Sequence, residues 1–186
     1  MKRLIDLIIS ILLLILLFIP CLIISIIIIL DTRGPVFFTS NRIGKNKKIF
    51  KMYKFRTMHV NAPVINSNEF NEADRYITKF GKYLRKYSLD EFPQIINIIQ
   101  GDMSLVGPRP ALDNQYKLIE KREVFGIFKI KPGLTGLAQV NGRDNLSIDE
   151  KVKYDNLYIS NQSIIFDIKI LIQTITVVLK SKDIRH

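Results

Sequence analysis

The sequence has little with which to make covalent or metal cross-links. It holds one cysteine, Cys21, and two histidines, His59 and His186, in 186 residues. A single cysteine excludes an intramolecular disulfide and a cysteine-based zinc cluster. Two histidines are too few for a histidine-rich metal site. There is no Walker lysine motif and no GxGxxG, so neither a P-loop nor a Rossmann cofactor site is expected. Internal repeats and low-complexity tracts are also missing.

What is present is unevenly spread. The chain is 47% hydrophobic and 24% charged, near the average for globular proteins. Yet residues 1–30 contain 24 hydrophobic residues and only three charged ones, Lys2, Arg3 and Asp6. The remaining positions keep enough apolar residues for one modest core. These figures exclude a polytopic transporter, a disordered chain and a freely soluble enzyme. The formal net charge is +11, and all but one of those charges lie beyond residue 30. Such a surface favours an anionic partner: lipid headgroups, nucleic acid or a phosphorylated substrate. The basic residues are interleaved with apolar ones, and no helix-turn-helix, zinc-finger or RNP pattern occurs. Nucleic acid is therefore not expected, and a membrane-facing cytoplasmic surface accounts for much of the charge.

Leu7 to Leu30 is a 24-residue stretch without charge. As a helix it would be about 36 Å long, enough to cross a hydrocarbon core of about 30 Å. It is too long for a signal-peptide core, and no small-x-small cleavage site follows it. Pro20 sits mid-run and cannot donate to the Leu16 carbonyl, which predicts a kink. Basic residues flank both ends: Lys2 and Arg3 before, Arg33, Arg42, Lys45 and others after. A spanning helix would put one basic flank on the wrong side. A helix that enters, bends at Pro20 and returns keeps both flanks cytoplasmic, with arms of about 20 and 15 Å. From these residues alone, spanning and re-entrant forms stand level. Cys21 reads as a packed thiol in this run.

Beyond it, Pro35–Thr39 and Ile49–Phe55 read as strands of a hairpin turned at 41–46. His59 to Asp74 is polar and reads as a loop, with His59 solvated. Helices are expected over 76–87, 90–100, 111–122 and 148–160. Residues 131–143 read as a glycine-rich loop. The apolar segment 164–179 reads as a helix on the core or in the membrane interface.

Ser88-Leu-Asp-Glu-Phe-Pro93 carries the most information. Ser88-x-x-Glu91 is a capping box before an apolar run, or Asp90 is itself the cap. Alternatively the adjacent carboxylates divide labour, one attacking as a nucleophile and the other holding a metal or handling a proton. Gly107-Pro-Arg-Pro110 presents Arg109 between two fixed proline φ angles, which pre-organises a guanidinium for phosphate. Arg85 and Lys86 precede the carboxylates. Residues 131–143 add glycines and Arg143, and small residues let backbone N–H groups approach an anion.

Together these segments resemble the bacterial sugar transferases, the small monotopic phosphoglycosyl transferases. The matching stretches are Lys54-Phe-Arg-Thr-Met58, Ser88-Leu-Asp-Glu91, Gly101-Asp-Met-Ser-Leu-Val-Gly-Pro-Arg-Pro110, Lys131 to Arg143 and Asp167-Ile-Lys-Ile170. They run in the family's order along nearly the whole chain. The resemblance implies transfer of a sugar-1-phosphate from a UDP-sugar to undecaprenyl phosphate, with UMP released. It implies Mg²⁺, a covalent intermediate on Asp90, and Glu91 as the partner in metal or proton handling, with Asp90 the first contact for the metal. Arg85 and Arg109 match phosphate-binding positions, and Arg143 is a further candidate for nucleotide or phosphate. It implies an α+β, mainly helical protein: a re-entrant membrane helix over 1–30 kinked at Pro20, and a compact catalytic domain over 31–186 with a short β-hairpin. The expected location is the bacterial cytoplasmic membrane, with the catalytic domain on its cytoplasmic face. Ile19 stands where the family commonly has serine, so no hydroxyl at that position meets the carbonyl freed by Pro20. The chain lacks the extra membrane region of longer relatives and reads as a minimal catalytic unit. The competing reading is a non-catalytic membrane-anchored protein that binds phosphorylated lipid or nucleic acid. The oligomeric state stays open, a homodimer included, because lipid-facing and subunit-facing apolar surfaces look alike in a sequence. So do the sugar and the pathway.

Overall fold

The apolar run forms one helix, α1 (Lys2–Asp31), in a computed structural model that describes residues 1–62 and 73–180. An isoleucine-rich run offers no polar side chains to its own backbone, and a helix satisfies that backbone internally. It is the one helix among the described residues long and apolar enough to cross a membrane. Helical geometry continues through Pro20, which is exposed. One turn later, the Ser25 hydroxyl donates to the Cys21 carbonyl at 2.7 Å, a bond that bends helices.

Both ends of α1 are tied to the rest of the chain. Near the start, Lys2 donates to Asp167 Oδ2 at 2.5 Å. Arg3 donates to the Ile98 and Ile99 carbonyls. The buried Asp6 accepts from the Ser104 hydroxyl and the Leu105 N–H. At the far end, Asp31 accepts from the Phe80 N–H, and Arg56 donates to the Thr32 and Arg33 carbonyls at 2.8 Å. There Ile24 and Ile28 pack with Phe55 and Leu84. Residues 14–16 and 18–20, in the middle, are exposed.

The hairpin is β1 (Phe37–Ile43) against β2 (Ile49–Phe55), antiparallel, with Phe37 opposite Phe55 and Ile43 opposite Ile49. The first strand thus runs past Thr39, and the turn falls at 44–48 instead of 41–46. A short helix, α2 (Ala73–Tyr76), precedes α3 (Lys79–Lys86). The helix expected over 76–87 begins only at Lys79, because the Thr78 hydroxyl caps it by accepting from the Gly81 N–H. Ile77 is spent on a bridge to Met58. Of the loop expected over 59–74, residues 63–72 lie outside the described residues, as does His186; His59 is exposed and donates its backbone N–H to Tyr76.

The next helix, α4 (Gln94–Gln100), is shorter than the expected 90–100, since residues 89–91 form a separate 3₁₀ turn. It ends at Gly101, φ 97°, the left-handed stop that glycine permits. Then come β3 (Ser104–Val106), β4 (Ala111–Leu112), α5 (Tyr116–Val124), β5 (Gly133–Thr135) and α6 (Leu137–Val140). Two expectations fail here. Residues 111–112 join β1 as a third strand, order β2-β1-β4, and leave the helix to start at Tyr116. The glycine-rich stretch 131–143 contains a strand parallel to β3 and a helical turn. Glycine is required where the two parallel strands meet: a Cβ on Gly133 would lie 2.1 Å from the Gly107 nitrogen.

The last helices follow the pattern closely. They are α7 (Ile148–Ser160), opened by a Ser147–Glu150 capping box, and α8 (Ile164–Lys180). The main core gathers Phe50, Met52, Ile98, Met103, Leu105, Val106, Leu137, Tyr158 and Ile170, and Ile9 and Leu13 of α1 pack onto it. Ile165, Ile168, Ile172, Ile175 and Leu179 leave one face of α8 exposed. Mostly helical with small sheets, the fold is α+β as expected.

Candidate active site

Asp90 and Glu91 sit in the 3₁₀ turn between α3 and α4, both buried at 7% and 8% exposure. Neither capping reading of this segment holds. Ser88 has φ 55°, a left-handed conformation, and no side-chain cap bond forms there. A non-glycine residue in that region is uncommon and carries strain. Its hydroxyl instead accepts from Arg143 Nη1 at 3.2 Å. Freed from capping, both carboxylates face charged neighbours.

The turn is pinned against the hairpin by Asn97 of α4. Its Oδ1 accepts from the Tyr53 N–H and its Nδ2 donates to the Lys51 carbonyl. These bonds satisfy the free edge of β2 and set Lys54 over the carboxylates. Lys54 Nζ lies 2.7 Å from Glu91 Oε1 and 3.3 Å from Asp90 Oδ2. Arg109 Nη2 reaches the same Glu91 oxygen at 3.0 Å. Among the described residues, no hydrogen bond reaches Asp90 Oδ1 or Glu91 Oε2.

Environment separates the two acids. Burial pushes the Asp90 carboxyl above its ordinary value, Lys54 opposes this, and the neighbouring Glu91 charge adds to the rise. Burial also works against the Glu91 anion, but Arg109, Lys54 and Arg143 outweigh it and hold Glu91 well below the usual carboxylate range. Adjacent acids with divergent affinities for a proton can take different roles.

Arg109 is held from behind. The Pro108 carbonyl accepts from the Gly133 N–H. The Arg109 carbonyl accepts from Arg122, and the Pro110 carbonyl from Arg42. Arg122 in turn pairs with Asp155 at 2.7 Å, both fully buried. Arg143, at φ 49° after Gly142, lies near enough to lower Glu91. A cleft beside the dyad is lined by Arg42, Arg109, Arg122, Gln139, Arg143 and Lys151, among others.

Of the sequence-derived candidates, Asp90, Glu91, Arg109 and Arg143 come together. Arg85, in the last turn of α3, acts on Asp90 through its charge without a hydrogen bond. Pro20 lies in α1 and is exposed. Lys54 received no role from the sequence, although a signal existed. It shares strand parity with the buried Phe50 and Met52, and an inward-facing lysine needs a partner. Arg42, Gln139 and the new role of Ser88 depend on long-range neighbours and carried no local signal.

The donor set suits a hard divalent cation poorly as a closed cage and well as an open site. No group of three or more histidine, cysteine or acidic side chains occurs among the described residues. Mg²⁺ commonly takes one or two carboxylates and completes its shell with water and substrate phosphate. The two open oxygens, Asp90 Oδ1 and Glu91 Oε2, fit that pattern.

A family model described as bacterial sugar transferase matches residues 1–181. Over 86% of its length the chain is 42% identical to a galactosyl transferase, CpsE, of Streptococcus agalactiae, covering 38% of that protein. It is 40% identical over its whole length to an uncharacterized sugar transferase, EpsL, of Bacillus subtilis, covering 91% of it. A UDP-glucose:undecaprenyl-phosphate glucose-1-phosphate transferase of Klebsiella pneumoniae is 40% identical over 94% of the chain, which spans 39% of that relative.

Proposed function

Because the chain belongs to the bacterial sugar transferase family, we propose that it moves a sugar-1-phosphate from a UDP-sugar to undecaprenyl phosphate at a membrane. The observation that carries this reading is the buried Asp90–Glu91 pair, set against Lys54 and Arg109 beside an arginine-lined cleft. A protein that only bound anions would gain nothing from two carboxylates at that place. The dual naming of similar relatives, one galactosyl and one glucose transferase, leaves the sugar open.

In the proposed reaction, the Asp90 carboxylate attacks the β-phosphorus of the donor. The bond from that phosphorus to the bridging oxygen breaks, and UMP leaves with the electron pair. An oxygen of undecaprenyl phosphate then attacks the same phosphorus and returns the Asp90 carboxylate. Mg²⁺ held at Asp90 and Glu91 would offset the negative charge of the diphosphate. Arg109 and Arg143, with Arg85 at the rim, bind phosphate oxygens and favour the charge that builds on UMP. Lys54 holds the two carboxylates apart from each other's repulsion. Splitting the transfer lets two anionic substrates react in turn.

The tethers of α1 support a re-entrant course. A straight 30-residue helix would be about 45 Å long and would separate its ends across a bilayer. Here Asp6 bonds to β3 and Ile28 packs on Leu84, parts of one body. Pro20 removes a backbone bond where such a helix must bend, and the Ser25 hydroxyl helps one turn on. The exposed faces of α1 and α8 would then lie in lipid, with the basic surface toward the headgroups.

The test is UMP release by detergent-solubilised protein given undecaprenyl phosphate, a panel of UDP-sugars, and Mg²⁺ or EDTA. Release that needs lipid acceptor and metal is expected. Asp90→Asn abolishes it while the protein still folds; full activity in that variant removes Asp90 as the nucleophile.

A further inference from the structure

The cleft beside the dyad contains one group that phosphate cannot satisfy. Gln139, on α6, is buried at 8% exposure. Its Nε2 donates to the Leu134 carbonyl at 3.0 Å, which fixes the orientation of the amide. Its Oε1 is buried with no hydrogen-bond partner. The fold makes room for this arrangement: a Cβ on Gly136 would lie 2.6 Å from that oxygen. A buried carbonyl left unpaired costs stability, and a site that keeps one is built for a donor that arrives with a ligand.

The walls around it are cationic. Arg42 donates through Nε to Ser40 and through Nη1 to Pro110, while its Nη2 makes no hydrogen bond. Burial and the nearby Arg109 charge lower its proton affinity to about 10, as expected where guanidinium groups crowd without enough anion. Arg143 and Arg109 connect this cleft to Glu91. A fully ionised diphosphate offers these arginines acceptors only. It has no N–H or O–H for Gln139 Oε1. The ligand that fits must carry both a polyanion and a hydrogen-bond donor.

We propose that the cleft between Arg42, Gln139 and Arg143 seats the nucleotide half of the donor, with Gln139 Oε1 accepting a hydrogen bond from the nucleoside. The arginines hold the diphosphate, and the donor is either the imide N–H of uracil or a ribose hydroxyl. This rests on the transferase reading above and adds to it the residue that distinguishes a nucleotide from a bare phosphate. Because the bond to the Leu134 carbonyl leaves Oε1 as the free atom of the amide, the imide form of the contact would reject cytosine, which presents an acceptor at the same ring position.

The experiment is calorimetric titration of the full chain in detergent with UDP, CDP and inorganic pyrophosphate, each with Mg²⁺. The wild type is expected to prefer UDP over pyrophosphate. Gln139→Met, similar in size without an acceptor, is expected to reduce that preference at least about tenfold, within the range for an unpaired buried group, while still binding pyrophosphate. Gln139→Glu keeps an acceptor. Its charge weakens both ligands, but the UDP-to-pyrophosphate ratio stays near that of the wild type. Loss confined to UDP assigns the imide; equal loss of UDP and CDP assigns the ribose. A Gln139→Met protein with the wild-type ratio, or a wild type that binds UDP no better than pyrophosphate, overturns the proposal. A wild type that shows the ratio yet releases no UMP from any UDP-sugar leaves the nucleotide site standing and removes the transferase reading instead.

Discussion

At the residue scale, the site depends on charges that hold one another. Lys54 touches both carboxylates, so Lys54→Met leaves two buried acids in mutual repulsion. We expect kcat for UMP release to fall by about 10²–10³-fold, the cost typical of losing one fixed electrostatic contact, and the thermal midpoint to fall as well, since buried acids lose their partner. A variant with wild-type kcat would reduce Lys54 to a surface contact. Arg122 and Asp155 form the second such pair, sealed beneath Arg109. Arg122→Ala strands the Asp155 charge and should cost about 3–5 kcal/mol in urea denaturation. Replacing both, Arg122→Met with Asp155→Leu, should cost less than the single change. The same scale shows what a sequence reveals of a site. Asp90, Glu91, Arg109 and Arg143 lie in recognisable local patterns. Lys54 does so only through strand parity, and Gln139 through nothing local, since its meaning comes from a cleft that four separate segments enclose. Ser88 misleads outright: its spacing to Glu91 is that of a capping box, but φ 55° and the pull of Arg143 give it another use.

At the element scale, long periodic segments were legible and short ones were not. The helices α7 and α8 and the strand β2 stand where apolar spacing puts them. The two-residue β4 and three-residue β3 and β5 are too short to show a period. Residues 111–112 read as the start of a helix, and 133–135 as part of a glycine-rich loop. They matter because β3 and β5 carry Arg109 and Gln139 on the segments that leave them. Gly133→Ala tests this. Its Cβ would meet backbone atoms of Gly107 at 2.1 and 2.7 Å, and backbone cannot rotate away as a side chain does. We expect a loss at or above the upper end of the usual 1–3 kcal/mol for overpacking, read as a lowered thermal midpoint together with lost UMP release. An alanine variant with both properties unchanged would show that the two strands can separate freely.

At the scale of the whole molecule, α1 is fastened at both ends, and the proposed re-entrant course has a direct test. In a Cys21→Ser background, a cysteine inserted between Met1 and Lys2 and a second variant, Arg33→Cys, should both resist a membrane-impermeant maleimide in intact cells. Both should react in inverted vesicles. Labelling of one from outside would make α1 a spanning helix. The fastening also sets an order of events during synthesis. Lys2 bonds to Asp167, a partner 165 residues later. At 5–20 residues per second, the ribosome needs roughly ten to thirty seconds to deliver it. Through that interval Lys2, Arg3 and Asp6 wait for α4, β3 and α8, and on the proposed course α1 would meet lipid before they are paired. The residues that fasten the start of α1 therefore find their last partner only when α8 has been made.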